Sequence, residues 1–405
     1  MIRYLPFGLE EALALVHERI APLASETIGL HNCVDRVVSE DLYSKVDSPS
    51  VDASLKDGYA VISGDVETAT YDRSVRLKLT GCVAAGGEEK LEVLPGSTVQ
   101  VLTGAKIPSF AEAVVSEEFT RIDGNEIIFH NFAEPGRNVL PKGSDVACGK
   151  MIVKKGSLLS PGMVGMLAAA GFSEIPCFRM PKVAILATGD EVVAPGMPLP
   201  EGKLYASNIT TLGSWCHRYG MDAGLHFVKD DAEKMRDAIY TIIKDADALI
   251  TSGGAWTGDR DLVARSLEAL GWEQMFHRIR IGPGKAVGFG LLKDKAVFIL
   301  PGGPPSNLMG FLQIALPGLL KLAGRKNLGL PVATVRLGSE LTGKHSDWTQ
   351  FIFGTLERKS DLPVFHPLKD KSRLRSMAEA QAVISIPEGQ TVIPVNAFTP
   401  AQLLE

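Results

Sequence analysis

Three glycine-rich turns, each following a short apolar run, are the residues of this sequence best suited to chemistry. Val183–Ala187 runs into Thr188, Gly189, Asp190 and Glu191; Ala248–Thr251 runs into Ser252, Gly253 and Gly254. Val297–Leu300 runs into Pro301, Gly302, Gly303, Pro304, Pro305 and Ser306. Glycine lets backbone approach a ligand closely, and a following helix offers free N–H groups and partial positive charge to an anion. One Gly-Gly turn is also an ordinary tight connection. Three in one segment point to a phosphate or nucleotide site, although none has the glycine spacing of a P-loop or of an ordinary dinucleotide fold.

Carboxylates gather near the same turns. Asp190 and Glu191 follow the first, Asp259 and Asp261 follow Gly258, and Asp230 and Asp231 open a helical stretch, Ala232–Ile243. Hard oxygen ligands beside phosphate suit Mg²⁺. Asp is equally a helix-capping residue, and capping is the reading for Asp230 and Asp231. Glu191 and Asp261 read as ligand or metal groups. Arg278, Arg280 and Lys285 surround a Gly282-Pro283-Gly284 turn and offer donors to an oxyanion, or form a solvated basic edge. Asp52, Ser54 and Asp57 crowd into a stretch bounded by Pro49 and Gly58, where Asp57-Gly58 also fits a hairpin turn.

The elements that position these groups follow from periodicity. Leu9, Ala12, Leu13, Val16 and Ile20 have helical spacing. From Val34 to Ile152, short runs such as Val75–Leu79, Thr98–Leu102 and Glu126–Phe129 alternate with turns, which reads as a mostly β domain. Ser160–Gly171 forms a short helix with Pro161 inside its start and Gly171 past its end. From Lys182 to about Gly324, apolar strands without polar alternation feed helices, among them Asp261–Leu270 and a long one from Asn307. That pattern predicts a parallel sheet covered on both faces, with ligands beyond the carboxyl ends of its strands. The Arg325–Pro331 stretch reads as a linker, and short strands from Val332 close the chain.

The 405 residues divide into about three domains at roughly 150 residues each. With 42 Lys+Arg against 47 Asp+Glu, the net charge of -5 supplies no field for nucleic acid or an anionic membrane. Five scattered cysteines, Cys33, Cys82, Cys148, Cys177 and Cys216, fit buried thiols in a reducing compartment. The N-terminus carries Glu10, Glu11 and His17 within its apolar pattern, unlike a signal peptide. The apolar run Leu308–Gly324 holds Gln313 and Pro317 and is too short to span a bilayer. A cytoplasmic protein is expected.

Read together, Val51–Ala60, Val101–Pro108, Lys142–Asp145, Ala187–Glu191, Ser252–Gly254 with Gly258 and Asp261, Pro283–Lys285 and Pro301–Ser306 resemble the molybdopterin molybdenumtransferase family, which includes the E domain of gephyrin. The likeness covers nearly the whole chain. It implies a multidomain α/β plus β fold. The parts would be a discontinuous helical and extended linker domain (1–45 and 142–181), a mostly β domain (46–141), a molybdopterin-binding three-layer α/β domain with a parallel-rich sheet (182–326), and a small C-terminal β barrel (327–405). It implies a homodimer, with the molybdopterin adenylyltransferase and molybdoenzyme chaperones as partners.

The implied reaction inserts molybdate or tungstate into adenylylated molybdopterin, with Mg²⁺-assisted hydrolysis of the adenylate and release of AMP and molybdenum cofactor. Carried over by position, Asp52, Asp145, Glu191, Asp261, Arg278 and Lys285 would be catalytic, with Glu191 and Asp261 on the metal. Thr103, Thr188, Gly189, Asp190, Ser207, Asn208, Asp230, Ser252, Gly253, Gly254, Gly302, Ser306 and Ser372 would bind substrate. Several positions depart from the family pattern. Arg278 and Gly282 stand for Lys, Ala53 and Gly303 for Asn, Ala206 for Asp, and Trp256 for a small residue; the family's Arg is not evident around Trp348. Those departures leave a non-catalytic carrier of molybdopterin or cofactor as the alternative. An adenylyltransferase acting on molybdopterin is a third reading, disfavoured by the extra β domains.

Overall fold

The computed structural model describes residues 5–253, 262–358, 362–368 and 373–404. Two compact units result: residues 27–177, and the chain up to Glu26 together with everything from Phe178 onward.

In the first unit, a six-stranded sheet runs in the order Ala113–Ser116, Gly58–Val61, Ser97–Val101, Val75–Val83, Glu126–Phe129, Thr120–Asp123. Alternation sends Tyr59, Val61, Leu77, Val115, Ile127 and Phe129 to one core and Ala60, Val83, Val99, Val101 and Val114 to the other. Asp57-Gly58 is not a hairpin turn. The short strand Ala53–Ser54 pairs with Val139–Leu140, whereas Gly58–Val61 joins the large sheet. The helix Pro161–Ala169 starts as expected, with Ser160 capping the Met163 N–H. Cys33 and Cys177 are buried beside it. All five cysteines are free; Cys82 and Cys148 are exposed, correcting the expectation that every thiol is buried.

In the second unit, the order is Asp222–Val228, Lys182–Thr188, Ala248–Ser252, Lys295–Leu300, Gly288–Leu292, Glu273–His277. The first four strands are parallel and the last two antiparallel. The absence of polar alternation in the three central parallel strands follows from burial on both faces. Ile185, Ile250 and Phe298 join one core, and Leu186, Leu249 and Val297 join the other, with Met235, Ile239 and Ile243 of the helix Ala232–Asp245. Asp231 caps that helix, accepting from the Glu233 and Lys234 N–H groups at 3.0 Å each.

The late helix begins at Pro304 rather than Asn307. It runs Pro304–Gly310, loosens into a π turn over Phe311–Ala315, and resumes as Leu316–Leu322. Proline at the first helical positions costs no hydrogen bond. Beyond it, Thr349–Glu357, Val364–Pro367, Val332–Leu337, Phe398–Leu403 and Ala382–Ile386 close on themselves as a five-stranded barrel. The two-residue strand Ile281–Gly282 attaches to it in parallel with Thr349 and Gln350. Among the described residues, no helix is long and apolar enough to cross a membrane.

Barrel closure brings Gly354 against Phe365. A Cβ there would lie 2.2 Å from Phe365 Cζ and 2.6 Å from the His366 carbonyl oxygen. Gly354→Ala is expected to cost about 1–3 kcal/mol, read by urea unfolding of the purified chain.

Candidate functional site

Parallel register aligns Ala187 with Ser252, and Ser252 with Leu300. Thr188-Gly189, Gly253 and Pro301-Gly302 therefore leave the sheet side by side, within about 10 Å at ordinary strand spacing. Thr188, Gly253, Pro301 and Gly302 line a cavity of about 1070 Å³, together with Glu191, Ser207, Asn208 and Arg373, whereas Gly189 and Asp190 are not part of its lining. Gly253 has φ +102°, and a Cβ on it would lie 2.9 Å from the Thr188 carbonyl oxygen. Glycine is thus required for the chain to turn there.

Two side-chain amides brace these corners. Asn307, 1% exposed, donates to Ser252 Oγ at 3.0 Å and to the Pro301 carbonyl at 2.9 Å. Asn208 donates to the Gly302 carbonyl at 2.8 Å. The helices Ser207–Arg218 and Pro304–Gly310 both begin at the cavity, and neither has a side-chain cap. At Ser207–Arg218 the first-turn N–H groups lack the usual side-chain acceptor, an arrangement that favours an anion. At Pro304–Gly310 the two opening prolines leave Ser306 as the one free first-turn donor among the described residues. Thr188 is 4% exposed, and its buried hydroxyl has no partner among the described residues. Such an unmatched group beside a cavity calls for a partner, which a ligand entering the cavity would supply.

The carboxylates stand on one flank. Asp190 Oδ1 accepts from the Asp230 N–H at 3.4 Å, and the Asp190 carbonyl accepts from Lys203 Nζ at 2.7 Å. Asp230 does not cap the following helix, contrary to expectation; Asp231 alone does so. Partial burial, then the charges of Asp190 and Glu191, push the Asp230 carboxyl above its ordinary value. Among the described residues, no three acidic, His or Cys side chains stand together as a metal cage. Gly254, Asp261 and Ser372 lie outside the described residues, as do Trp256, Gly258 and Asp259.

A second cavity, about 420 Å³, is lined by Arg278, Gly282, Lys285, Ser306 and Trp348, and shares Pro301 with the first. Ser306 thus lies with the cations rather than with the glycine corners. Backbone bonds fix the loop between them. The Arg278 N–H donates to Val287 O at 2.8 Å, and the Ile279 N–H to Lys285 O at 3.0 Å. Arg278 adopts φ +73°, a left-handed conformation that costs a non-glycine residue about 1–3 kcal/mol. Among the described residues, no carboxylate is part of this cavity's lining.

In the other unit, three loops meet. The Lys142 N–H donates to Asp52 Oδ1 at 2.8 Å, and the Asp145 N–H donates to Ser48 O at 2.9 Å. Thr103 donates through N and Oγ1 to Asp57 Oδ1, at 2.6 and 2.9 Å. These two bonds hold the Asp57 carboxyl below its ordinary value. Asp52, Thr103 and Asp145 are thereby brought to one loop cluster, in which Asp57 serves the turn. Sequence reasoning missed Asn307, Arg373 and Trp348 as lining or bracing groups. Only Asn307 carried a signal, a polar amide inside an apolar helical run.

An α/β domain with glycine corners at the carboxyl edge of its parallel strands, joined to β modules, offers a cavity suited to a phosphorylated small molecule. Residues 7–171 match the MoeA N-terminal region (domain I and II), and residues 184–321 match a probable molybdopterin binding domain. The molybdopterin molybdenumtransferase of Haemophilus influenzae is 33% identical over 81% of this chain and 82% of its own length. That of a Nostoc species is 30% identical over 91% and 86%. A molybdopterin biosynthesis MoeA protein of Pyrococcus horikoshii superposes with TM-score 0.82 at 32% identity, covering 98% of this chain and 99% of that one. The chain belongs to the molybdopterin molybdenumtransferase family, and by that membership is a transferase.

Two outcomes follow from this geometry. Thr188→Val removes an unmatched hydroxyl, so stability should hold or rise by up to about 1 kcal/mol, while a phosphorylated cavity ligand binds about fivefold more weakly; urea unfolding and titration calorimetry read the two effects. Because the folded-state pKa of Asp230 is raised, the native state binds more protons, and stability falls as pH rises from its unfolded value through its folded one. Asp230→Asn should therefore raise the melting temperature slightly at neutral pH, solvent screening keeping the gain small. The gain should vanish near pH 3.

Proposed function

We propose that this chain inserts molybdate, or tungstate, into adenylylated molybdopterin during molybdenum cofactor biosynthesis, with hydrolysis of the adenylate and release of AMP. Membership of a family whose curated relatives are named molybdopterin molybdenumtransferase supports the reaction class. The observation that carries the finer reading is the pairing of two unlike cavities across Pro301, one rimmed by glycine corners and uncapped helix starts, the other by cations.

In this reading Gly253 and Gly302 let the pyrophosphate approach the backbone, and Thr188 offers its hydroxyl. Ser207, Asn208 and Ser252 bound the pterin side. Arg278 and Lys285 hold the metal oxyanion, each donor contributing a few kcal/mol, about 10²–10³ in rate. Asp52 and Asp145, in the unit of residues 27–177, are taken as catalytic on the family pattern. The flank of Asp190, Glu191 and Asp230 suits a hydrated divalent cation, which needs only one or two carboxylates when phosphate completes its shell. Glu191 and Asp261 would hold Mg²⁺, which when bound neutralises charge on the phosphates. The four-domain division expected from the sequence, a homodimer and a cytoplasmic location belong to the same proposal.

The experiment is oxyanion-dependent AMP release. Purified protein with adenylylated molybdopterin, molybdate and Mg²⁺ should yield AMP, and the double variant Arg278→Ala/Lys285→Ala should lose at least about 100-fold of that rate. Gly282, which lacks the family's lysine at that cavity, favours the second reading, a carrier of finished cofactor. Retained cofactor without AMP formation would assign the chain there.

A further inference from the structure

The cationic cavity holds a residue to which the proposed reaction assigns no role. Trp348 is half-buried in the wall, and Lys285 Nζ lies 5.2 Å from its ring centroid. Among the described residues this indole face is the only partner recorded for the Lys285 ammonium, which has neither a hydrogen bond nor an ion pair there. A second neighbour of the indole is His345, with ring centroids 5.3 Å apart and planes inclined by 37°.

The placement of the ring is built in by backbone. Ile281 and Gly282 pair in parallel with Thr349 and Gln350, so the turn bearing Lys285 and the residue after Trp348 share one ladder. Gln350 fastens the preceding loop, accepting from the Lys344 N–H at 2.5 Å and donating to the His345 carbonyl at 2.8 Å. A Cβ at Gly282 would stand 3.8 Å from Trp348 Cε3, already in contact. The ring thus borders the space into which a longer residue 282 would project. On a flexible four-carbon stem, an unpaired ammonium samples many rotamers, each a cost to repay when an oxyanion binds. An aromatic face attracts the ammonium without neutralising it, unlike a carboxylate, which would compete with the anion.

We infer that Trp348 is a positioning residue for oxyanion capture. Its indole holds Lys285 within the cavity that Arg278 and Ser306 also line and compensates, through preorganisation, for the cation that Gly282 does not supply. The inference rests on the reading of this cavity as the oxyanion site.

The test measures molybdate and tungstate affinity by calorimetry on the full chain, and KM for molybdate in AMP release, for Trp348→Phe, Trp348→Leu, Lys285→Ala and Lys285→Ala/Trp348→Leu. Trp348→Leu should raise Kd and KM about three- to fivefold with kcat unchanged, and Trp348→Phe should stay within about twofold of the parent. In the Lys285→Ala background, Trp348→Leu should add nothing, since its effect passes through the ammonium. If Trp348→Leu matches the parent, or weakens binding equally with and without Lys285, the positioning role is overturned while the oxyanion site stands. If Lys285→Ala leaves oxyanion affinity unchanged, the site reading fails and the inference with it.

Discussion

One row of strand register, Ala187 beside Ser252 beside Leu300, organises everything functional in the α/β domain. Because the three strands are parallel and end level, their turns emerge as neighbours, and the chain can line a cavity with backbone drawn from positions over 100 residues apart. The row is held by apolar burial on both faces, which makes slippage costly. Asn307 then ties the middle strand end to the turn beyond the next one through two hydrogen bonds. Burying an amide at 1% exposure is tolerable only because both its hydrogens are used.

Much of this was legible in the sequence. Apolar runs ending in glycine are hard to mistake when both faces of a sheet are buried, and all three central strands fell where periodicity predicts them. The edge strand Asp222–Val228 was not legible, because most of its residues face solvent and carry a mixed pattern. The π turn at Phe311–Ala315 changes which carbonyl each N–H meets without changing hydropathy, so composition cannot reveal it. Asp57-Gly58 shows the opposite failure. Its composition fits a hairpin, but Thr103, 46 residues away, takes the carboxylate and directs the chain into a different sheet.

The site was legible as residue types more than as an arrangement. Arg278 and Lys285 stood out as cations near a proline turn, and Ser306 as part of a glycine-rich corner. The second cavity gathers all three. That depends on tertiary closure of the 278–287 loop, including a left-handed backbone at Arg278 that no local preference would choose. Such strain persists only where surrounding hydrogen bonds over-determine it. Trp348 and Arg373 were invisible for a simpler reason: they come from the barrel, long after the segments whose cavities they line.

The two-residue strand Ile281–Gly282 has a wider meaning for how this architecture can diversify. It splices the edge of one folding module into the ladder of another, so a cavity inherits part of its wall from a domain with its own independent core. Drift in barrel loops can therefore recolour that wall, exchanging a charge for an aromatic ring, while the glycine corners, held by strand register, stay as they are. The two cavities thereby become separately adjustable features of a single chain.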